Sequence, residues 1–258
     1  MDCYYNNKMS RKINLDVEDF TEKKYRQYLR IAKQKFKFIS FENADAKGNT
    51  CLWRHDIDTS PHRALKLAQI EHEEEVAATY FFLLHSNRYN FLEKEIVNIA
   101  IEIERLGHHI GLHFDPRFHN GEINKKKDLN EKIGLEKNII EEALKIKIAS
   151  FSFHNPSLLK FDYSHEKLGG LANTYSEKIL EKFEYVSDSY CIWRFKTLEE
   201  VLSDHTITNL HVLLHPVCWT PEPMNPFNRF KRAVNGRAEK TIAHYLNLAK
   251  KINRKIIE

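Results

Sequence analysis

Two carboxylates separated by one residue, Asp56 and Asp58, end the run 52–58, whose sequence is LWRHDID. If this run is a β-strand, Arg54, Asp56 and Asp58 share one face, because side chains alternate along a strand. At the usual rise the two acids lie about 6.6 Å apart. One of them could hold a metal ion while the other accepts a proton from its water. Acids at the carboxyl end of a strand, just before a helix, stand where α/β enzymes carry their chemistry.

Carboxylates and imidazoles also stand at the ends of four further predicted strands. They are His113 with Asp115, His154, Asp188 and His215. In a parallel sheet all these strand ends lie at one rim. A lone histidine there is more often a hydrogen-bonded structural residue than a ligand. Such a collection, however, costs stability unless its members are paired or bind a metal. The convergence predicts a metal-dependent or acid–base site.

Strand geometry separates His109 from His113 in the run HHIGLHF at 108–114. His109 and His113 would lie one turn apart on a helix, but in a strand they are about 13 Å apart. Zn–N bonds are only about 2.1 Å long, so both cannot bind one ion. The carboxyl end favours His113, and His109 is expected to be buried toward the other end. Ligation by histidine and carboxylate suits Zn²⁺ or another first-row divalent ion that hydrolyses a substrate, with His215 as a candidate general acid.

Strand-like and helix-like segments alternate with a spacing of roughly 30–40 residues, which predicts an α/β fold with a parallel sheet in a single domain. The pattern alone leaves the sheet open or closed. The predicted strands are 52–58, 77–84, 108–114, 148–154, 184–189, 192–195 and 210–215. The predicted helices are 19–37, 61–75, 91–106, 129–144, 198–202 and 238–251. Thr59 or Ser60 is expected to cap the second helix, with Pro61 near its first position.

The composition argues against several other classes of protein. The 258 residues are 42% hydrophobic and carry a net charge of +4, which argues against disorder and gives little support for nucleic-acid binding. The four cysteines form no CxxC pair, so free thiols in a reducing compartment are expected. The polar run 1–10 lacks the apolar core of a signal peptide, and no apolar run is long enough to span a bilayer as a helix. These features predict a cytoplasmic protein.

Four motifs occur in an order and spacing that resemble the polysaccharide deacetylases (NodB homology domain, carbohydrate esterase family 4), with the closest resemblance to the WbmS-like branch. They are RHDID at 54–58, ATYFF at 78–82, GHHIGLH at 107–113 and LLHP at 213–216. The resemblance covers roughly Cys51 to Trp219. It implies an irregular (β/α) barrel of about seven parallel strands over 51–258, with 1–50 as a helical lead-in packed on the barrel. It also implies metal-dependent removal of N-acetyl groups from sugars.

Residue roles follow from the resemblance by position. It implies that Asp56 is the catalytic base, Asp58 a metal ligand, His113 the first metal histidine and His215 the catalytic acid. The family's second metal histidine falls at Arg117, which cannot bind a cation. We rank His154 first, Asp115 second and His119 third as its replacement. If none of them serves, the protein is a degenerate relative that binds glycan without hydrolysing it.

The predicted substrate is a carbohydrate or a glycan precursor, nucleotide-linked or lipid-linked. The residues expected to contact it, or to border its pocket, are Asn87, Arg88, Tyr89, Asp115, Asn155, Asp188, Trp193, Arg194 and Trp219. Asn155 and Asp188 fall near further motifs of the family. For Trp193 and Trp219 a place in the core is an equal alternative. The sequence is compatible with a homo-oligomer.

Overall fold

The central element of the described fold is a mostly parallel sheet of nine strands that curls into a half-barrel. The computed structural model describes residues 17–45, 47–119, 121–156 and 159–254. The strands are β1 (Lys37–Phe38), β2 (Thr50–Ile57), β3 (Thr79–Leu83), β4 (His109–Phe114), β5 (Ser150–Phe153), β6 (Lys167–Leu168), β7 (Leu171–Asn173), β8 (Glu184–Ser187) and β9 (Asn209–Leu214). The predicted α/β fold with an irregular (β/α) barrel is confirmed.

Seven α-helices connect and cover the strands of the described residues. They are α1 (Glu22–Lys35), α2 (Pro61–Glu73), α3 (Lys94–Arg105), α4 (Lys126–Leu144), α5 (Glu177–Lys182), α6 (Leu198–Ser203) and α7 (Pro226–Lys251). Ser60 caps α2 by accepting a hydrogen bond from the backbone N–H of Arg63, with Pro61 at the first helical position, as predicted.

The strand order is β6-β7-β5-β4-β3-β2-β9-β8, and β1 pairs with the first residues of β2. Among the strands of the described residues, only the pair β6–β7 is antiparallel. The positions of the individual strands differ from the prediction in two respects. The segment 192–195 is not a strand, because the chain turns at Tyr190 and Cys191, which both have positive φ. The strands β1, β6 and β7 were missed because two or three residues are too few to show an alternating pattern.

Helix α7 begins twelve residues before the predicted position 238. Its start carries recognisable signals, since the side chain of Asn225 accepts a hydrogen bond from the backbone N–H of Asn228 and Pro226 follows. The prediction missed this part because the first turns of α7 are basic and, apart from Arg229, mostly exposed, and their apolar residues form no continuous stripe.

Residues of β2 alternate between the two faces of the sheet, as predicted. Cys51, Trp53 and Ile57 pack in the large core beneath the helices. Leu52 packs on the inner face with a smaller cluster that includes Phe81. The inner face therefore changes from apolar at Leu52 to charged at Arg54 and Asp56, and all three side chains are buried.

Gly111 lets the inner face of β4 approach Phe81 closely. A Cβ atom at this position would lie 2.4 Å from the Phe81 ring and 2.9 Å from the carbonyl oxygen of Ser150. Any larger residue would push β4 away from its neighbours. His113, two residues further along the same face, owes its place to this close packing.

Candidate active site

Parallel registers bring the polar strand ends to one rim. His113 pairs with Ser152 across β4 and β5, and His154 follows β5 directly. On the other side of β2, His55 pairs with Leu214 of β9. The next residues, Asp56 and His215, therefore lie at the same height along the two neighbouring strands. The rim predicted from the sequence therefore exists, with its groups contributed by separate strands.

Three of the predicted ligands form a nearly equilateral triangle, here called the rim triangle: Asp58, His113 and His154. The Nε2 atom of His113 lies 3.1 Å from Oδ1 of Asp58, and Nδ1 of His154 lies 3.3 Å from the same oxygen. The two ring nitrogens are 3.2 Å apart. Each atom thus contacts the other two at almost the same distance.

The rim triangle fits a divalent metal ion. Ligands about 2.1 Å from one ion at tetrahedral angles are about 3.4 Å from each other, close to the observed edges. Oδ1 of Asp58 is buried and has no hydrogen-bond partner among the described residues, although both ring nitrogens lie close to it. Two imidazole nitrogens and a carboxylate oxygen are a common donor set for Zn²⁺.

The surroundings fix the ring orientation of His113 and the charge of Asp58. Nδ1 of His113 faces the carbonyl oxygen of Ser152 at 3.3 Å, so this nitrogen carries the hydrogen and Nε2 is free to bind. Burial alone would raise the pKa of Asp58, but its contacts with His113 and His154 hold that pKa well below the ordinary value. Asp58 is therefore ionised at neutral pH.

Asp56 lies beneath the rim triangle with one oxygen engaged and one unengaged. Its Oδ2 accepts hydrogen bonds from Oγ of Ser152 at 3.0 Å and from Nη2 of Arg54 at 3.3 Å. Its Oδ1 is buried without a hydrogen-bond partner in the described part of the chain. The charge of Arg54 compensates that of Asp56, and the unengaged oxygen can accept a proton.

His215 reaches the rim from the opposite side, held by Asp188. Its Nδ1 lies 2.7 Å from Oδ1 of Asp188, whose other oxygen accepts from Nε1 of Trp219 at 2.9 Å. Nε2 of His215 lies 3.9 Å from Oδ2 of Asp58. Burial alone would lower the pKa of His215, but Asp188 raises it to about 9, so the imidazole is protonated at neutral pH. It is therefore able to donate a proton from Nε2.

The other two candidates for the third ligand point elsewhere. Asp115 accepts hydrogen bonds from the backbone and the guanidinium of Arg117, with Nη2 at 2.9 Å. Half of the Arg117 side chain is exposed. His119 is buried against Glu136. His154 alone of the three ranked residues joins Asp58 and His113.

The predicted pocket residues divide into exposed and buried groups. Asn155 and Arg194 are exposed. Trp193 stacks on Phe20, with ring centroids 5.1 Å apart. Trp219 is fully buried and binds Asp188, so it positions that carboxylate and does not offer an open surface to a substrate. Of the two predicted positions for Trp219, the pocket and the core, the structure confirms the core.

The first predicted pocket segment borders a cleft. Asn87 is exposed, and the Tyr89 hydroxyl is buried, where it donates to the carbonyl oxygen of Ile57 at 2.7 Å. Arg88 lies over the ring of Phe230 on α7. A cleft of about 580 Å³ opens here beside Thr59, the residue after Asp58. Its basic lining residues are His62, Arg63, Arg88, Arg229, Arg232, Arg237 and Lys240.

Three further features were missed or predicted wrongly from the sequence. Ser152 had no assigned role, although strand alternation places it on the same face as His154. His109 is exposed, not buried, because it starts β4 at the open end of the sheet. Cys191 and Cys218 form a disulfide, not free thiols. They meet because each lies in the turn that follows one of two neighbouring strands, β8 and β9, and a separation of 27 residues gives no sign of this. The cysteines therefore no longer argue for a reducing compartment.

Comparison with known proteins gives structural similarities only. No family model and no curated protein matches the sequence. The chain is similar to a family 4 carbohydrate esterase from Bacillus anthracis (15% identity, 84% of this chain and 86% of that chain, TM-score 0.42). It is similar to a family 4 acetyl xylan esterase from Clostridium thermocellum in complex with a cobalt ion (13%, 74% and 84%, 0.36). It is also similar to a pseudoenzyme of carbohydrate esterase family 4 from Bacillus anthracis (12%, 76% and 63%, 0.39). Similarities at this level do not establish a family.

Among the described residues, no helix is both long enough and apolar enough to cross a membrane.

Proposed function

We propose that this protein is a metal-dependent hydrolase that removes an N-acyl group, such as acetyl, from a sugar or a surface-glycan precursor. The observation that carries the proposal is the rim triangle, with a proton acceptor and a proton donor beside it. Asp56 offers a buried unengaged oxygen, and His215 is protonated and held by Asp188. This combination suits hydrolysis of an amide.

Asp58, His113 and His154 would hold the ion. A divalent ion bound there supplies Lewis-acid polarisation of the acyl carbonyl and of the attacking water. Zn²⁺ is the favoured ion because its ligand preferences match two imidazoles and one carboxylate, with one position left for substrate or water.

Asp56 and His215 would divide the proton transfers. Oδ1 of Asp56 accepts the proton of the attacking water, while Arg54 and Ser152 hold its other oxygen in place. Nε2 of His215 donates a proton to the departing amine, and Asp188 keeps the imidazole oriented through Nδ1. The amine leaves neutral, and the acyl group leaves as a carboxylate.

The cleft supports a substrate that carries an anionic group through Arg88, Arg229 and Arg232, since its other basic lining residues pair with glutamates. Arg229 is almost fully buried, and its Nε atom has no hydrogen-bond partner among the described residues. Burial lowers the pKa of Arg229 to about 10, so it still carries its charge at neutral pH. A phosphate of a nucleotide-linked or lipid-linked sugar fits this chemistry. The surface-glycan assignment that the WbmS-like resemblance implies stays a prediction.

Arg117 had favoured the alternative of a glycan-binding protein without activity. His154 weakens that alternative, since it completes a set of three donors without residue 117.

The proposal is tested with untagged protein that is stripped of metal and reloaded with Zn²⁺. Acetate release is measured with UDP-N-acetylglucosamine and with N-acetylglucosamine oligosaccharides. We expect release that needs Zn²⁺, disappears in Asp58→Ala and persists in His109→Ala, a control histidine at the exposed start of β4. Hydrolysis that survives Asp58→Ala contradicts the proposal. Stoichiometric Zn²⁺ and sugar binding with no acetate release would favour the binding protein.

A further inference from the structure

A second group of two histidines and a carboxylate lies outside the proposed active site. His85 follows β3, His119 lies in the turn after β4, and Glu136 projects from α4. We call these three residues the α4 cluster. Glu136 and His119 are buried, and His85 is partly buried. Three separate segments of the chain therefore contribute one potential ligand each.

The donor atoms of the α4 cluster converge. Nε2 of His119 lies 2.5 Å from Oε1 of Glu136, and Nε2 of His85 lies 3.2 Å from the same oxygen. One potential ligand atom from each residue lies within 4.8 Å of the other two. A small displacement of these side chains brings all three within bonding distance of one cation.

The cluster also contains unpaired polar atoms. Glu136 is 1% exposed, and its Oε2 atom has no hydrogen-bond partner among the described residues. The same holds for Nε2 of His85, which approaches Oε1 of Glu136 outside hydrogen-bond geometry. Burying a carboxylate with unpaired atoms is costly unless a cation compensates it. Within the described part of the chain, the ion-pair partners of Glu136 are these two imidazoles.

We propose that His85, His119 and Glu136 bind a second divalent cation of the Zn²⁺ class, which ties the turn after β4 to α4 and to the end of β3. Two imidazole nitrogens and one carboxylate match the ligand preferences of Zn²⁺, and water takes the fourth position. The proton between His119 and Glu136 leaves to solvent when the ion binds, because both groups must bind it deprotonated.

Aromatic neighbours hold the two imidazoles. The rings of His85 and Phe118 are stacked, with an interplanar angle of 3°. His119 stacks on Phe114, with centroids 5.4 Å apart and an angle of 13°. These contacts restrict ring rotation, and the burial of Glu136 at 1% exposure leaves a substrate little access to the cluster. The role of this ion is therefore structural, and the inference does not depend on the proposed hydrolysis.

Ion stoichiometry tests the inference separately from the active site. Untagged protein is stripped with chelator, dialysed against Zn²⁺ and analysed for bound metal. We expect two ions in the wild type and one in Asp58→Ala/His113→Ala, where the rim triangle is removed. We also expect one ion in Glu136→Gln, which keeps the size of the side chain, and two in the control His109→Ala.

Thermal unfolding with and without Zn²⁺ gives a second readout. In Asp58→Ala/His113→Ala, Zn²⁺ should still raise the unfolding temperature, because an ion that binds only the folded state stabilises it. Adding Glu136→Gln to this variant should abolish the shift. The inference is overturned if Asp58→Ala/His113→Ala binds no ion, or if Glu136→Gln keeps both. Failure of the proposed active site has a different signature, because the wild type would then keep one ion that Asp58→Ala does not remove.

Discussion

The rim triangle and the α4 cluster are built from the same chemical groups, but their neighbours differ. Beside the rim triangle lie Asp56, with an unengaged oxygen, and His215, protonated through Asp188. Beside the α4 cluster lie the rings of Phe114 and Phe118. Two imidazoles and a carboxylate therefore do not define a chemistry by themselves. A proton acceptor and a donor at the first site favour hydrolysis, while aromatic walls at the second favour a structural role.

The sharpest test of this difference compares the effects of one substitution in each site. Asp58→Ala should lower kcat/KM for deacetylation by about 10³-fold or more, since the lost Lewis-acid effect amounts to several kcal/mol. Glu136→Gln should lower the unfolding temperature in the presence of Zn²⁺ and leave kcat/KM within a few-fold. Steady-state kinetics and thermal unfolding of both variants check this. The assignment of a hydrolytic role to the rim triangle and a structural role to the α4 cluster is wrong if both substitutions abolish activity. It is also wrong if both lower the unfolding temperature and leave activity unchanged.

Asp188→Asn tests whether His215 acts as the proton donor at the rim triangle. The amide cannot stabilise the imidazolium, so we expect kcat to fall by about 10²-fold or more with a smaller change in KM. Zn²⁺ stoichiometry should stay unchanged, because Asp188 is not a ligand. The control Asp162→Asn changes a mostly exposed carboxylate and should have no effect. Equal kcat values for Asp188→Asn and the wild type would show that Asp188 does not support proton donation by His215.

His211 extends the comparison to a buried histidine that lies near the guanidinium of Arg54 and contacts no carboxylate among the described residues. Burial and the charge of Arg54 hold its pKa well below the ordinary value. The unfolded state therefore binds a proton that the folded state does not, so this contribution to stability is present above about pH 6.5 and is lost as the pH falls below it. The slope approaches about 1.4 kcal/mol per pH unit.

Denaturant unfolding between pH 7 and pH 5 measures this contribution. His211→Gln removes the titrating group, so its stability should fall less steeply with decreasing pH than that of the wild type. Parallel curves for the two proteins would show that His211 does not stay neutral in the fold.

Arg117→His should have the smallest effect. It places a histidine where the resemblance implies a second metal ligand, but the structure already brings His154 to Asp58 and His113. Arg117 is half exposed, and we expect kcat/KM within about threefold of the wild type, as for a surface substitution. His154→Ala is the matched test, and it should lose the rim ion. A large gain in activity from Arg117→His would show that His154 is not the third ligand.

The sequence by itself determined the elements and the rim. Alternation along 52–58 placed Arg54 and Asp56 on the inner face, because the period of a strand is two. The rule that parallel strands end on one side predicted that Asp58, His113, His154 and His215 lie at one rim. Short strands such as β6, and the exposed start of α7, carried too little apolar pattern to be predicted.

Only the tertiary structure decided which polar residues meet. Asp115 and His119 both follow β4, the strand that contains His113. Asp115 contacts Arg117, however, and His119 contacts Glu136. Register and loop paths make that choice, and both depend on contacts between residues far apart in the chain. The same holds for the Cys191–Cys218 disulfide, for Trp219 behind Asp188, and for the α4 cluster, whose ligands come from three separate segments.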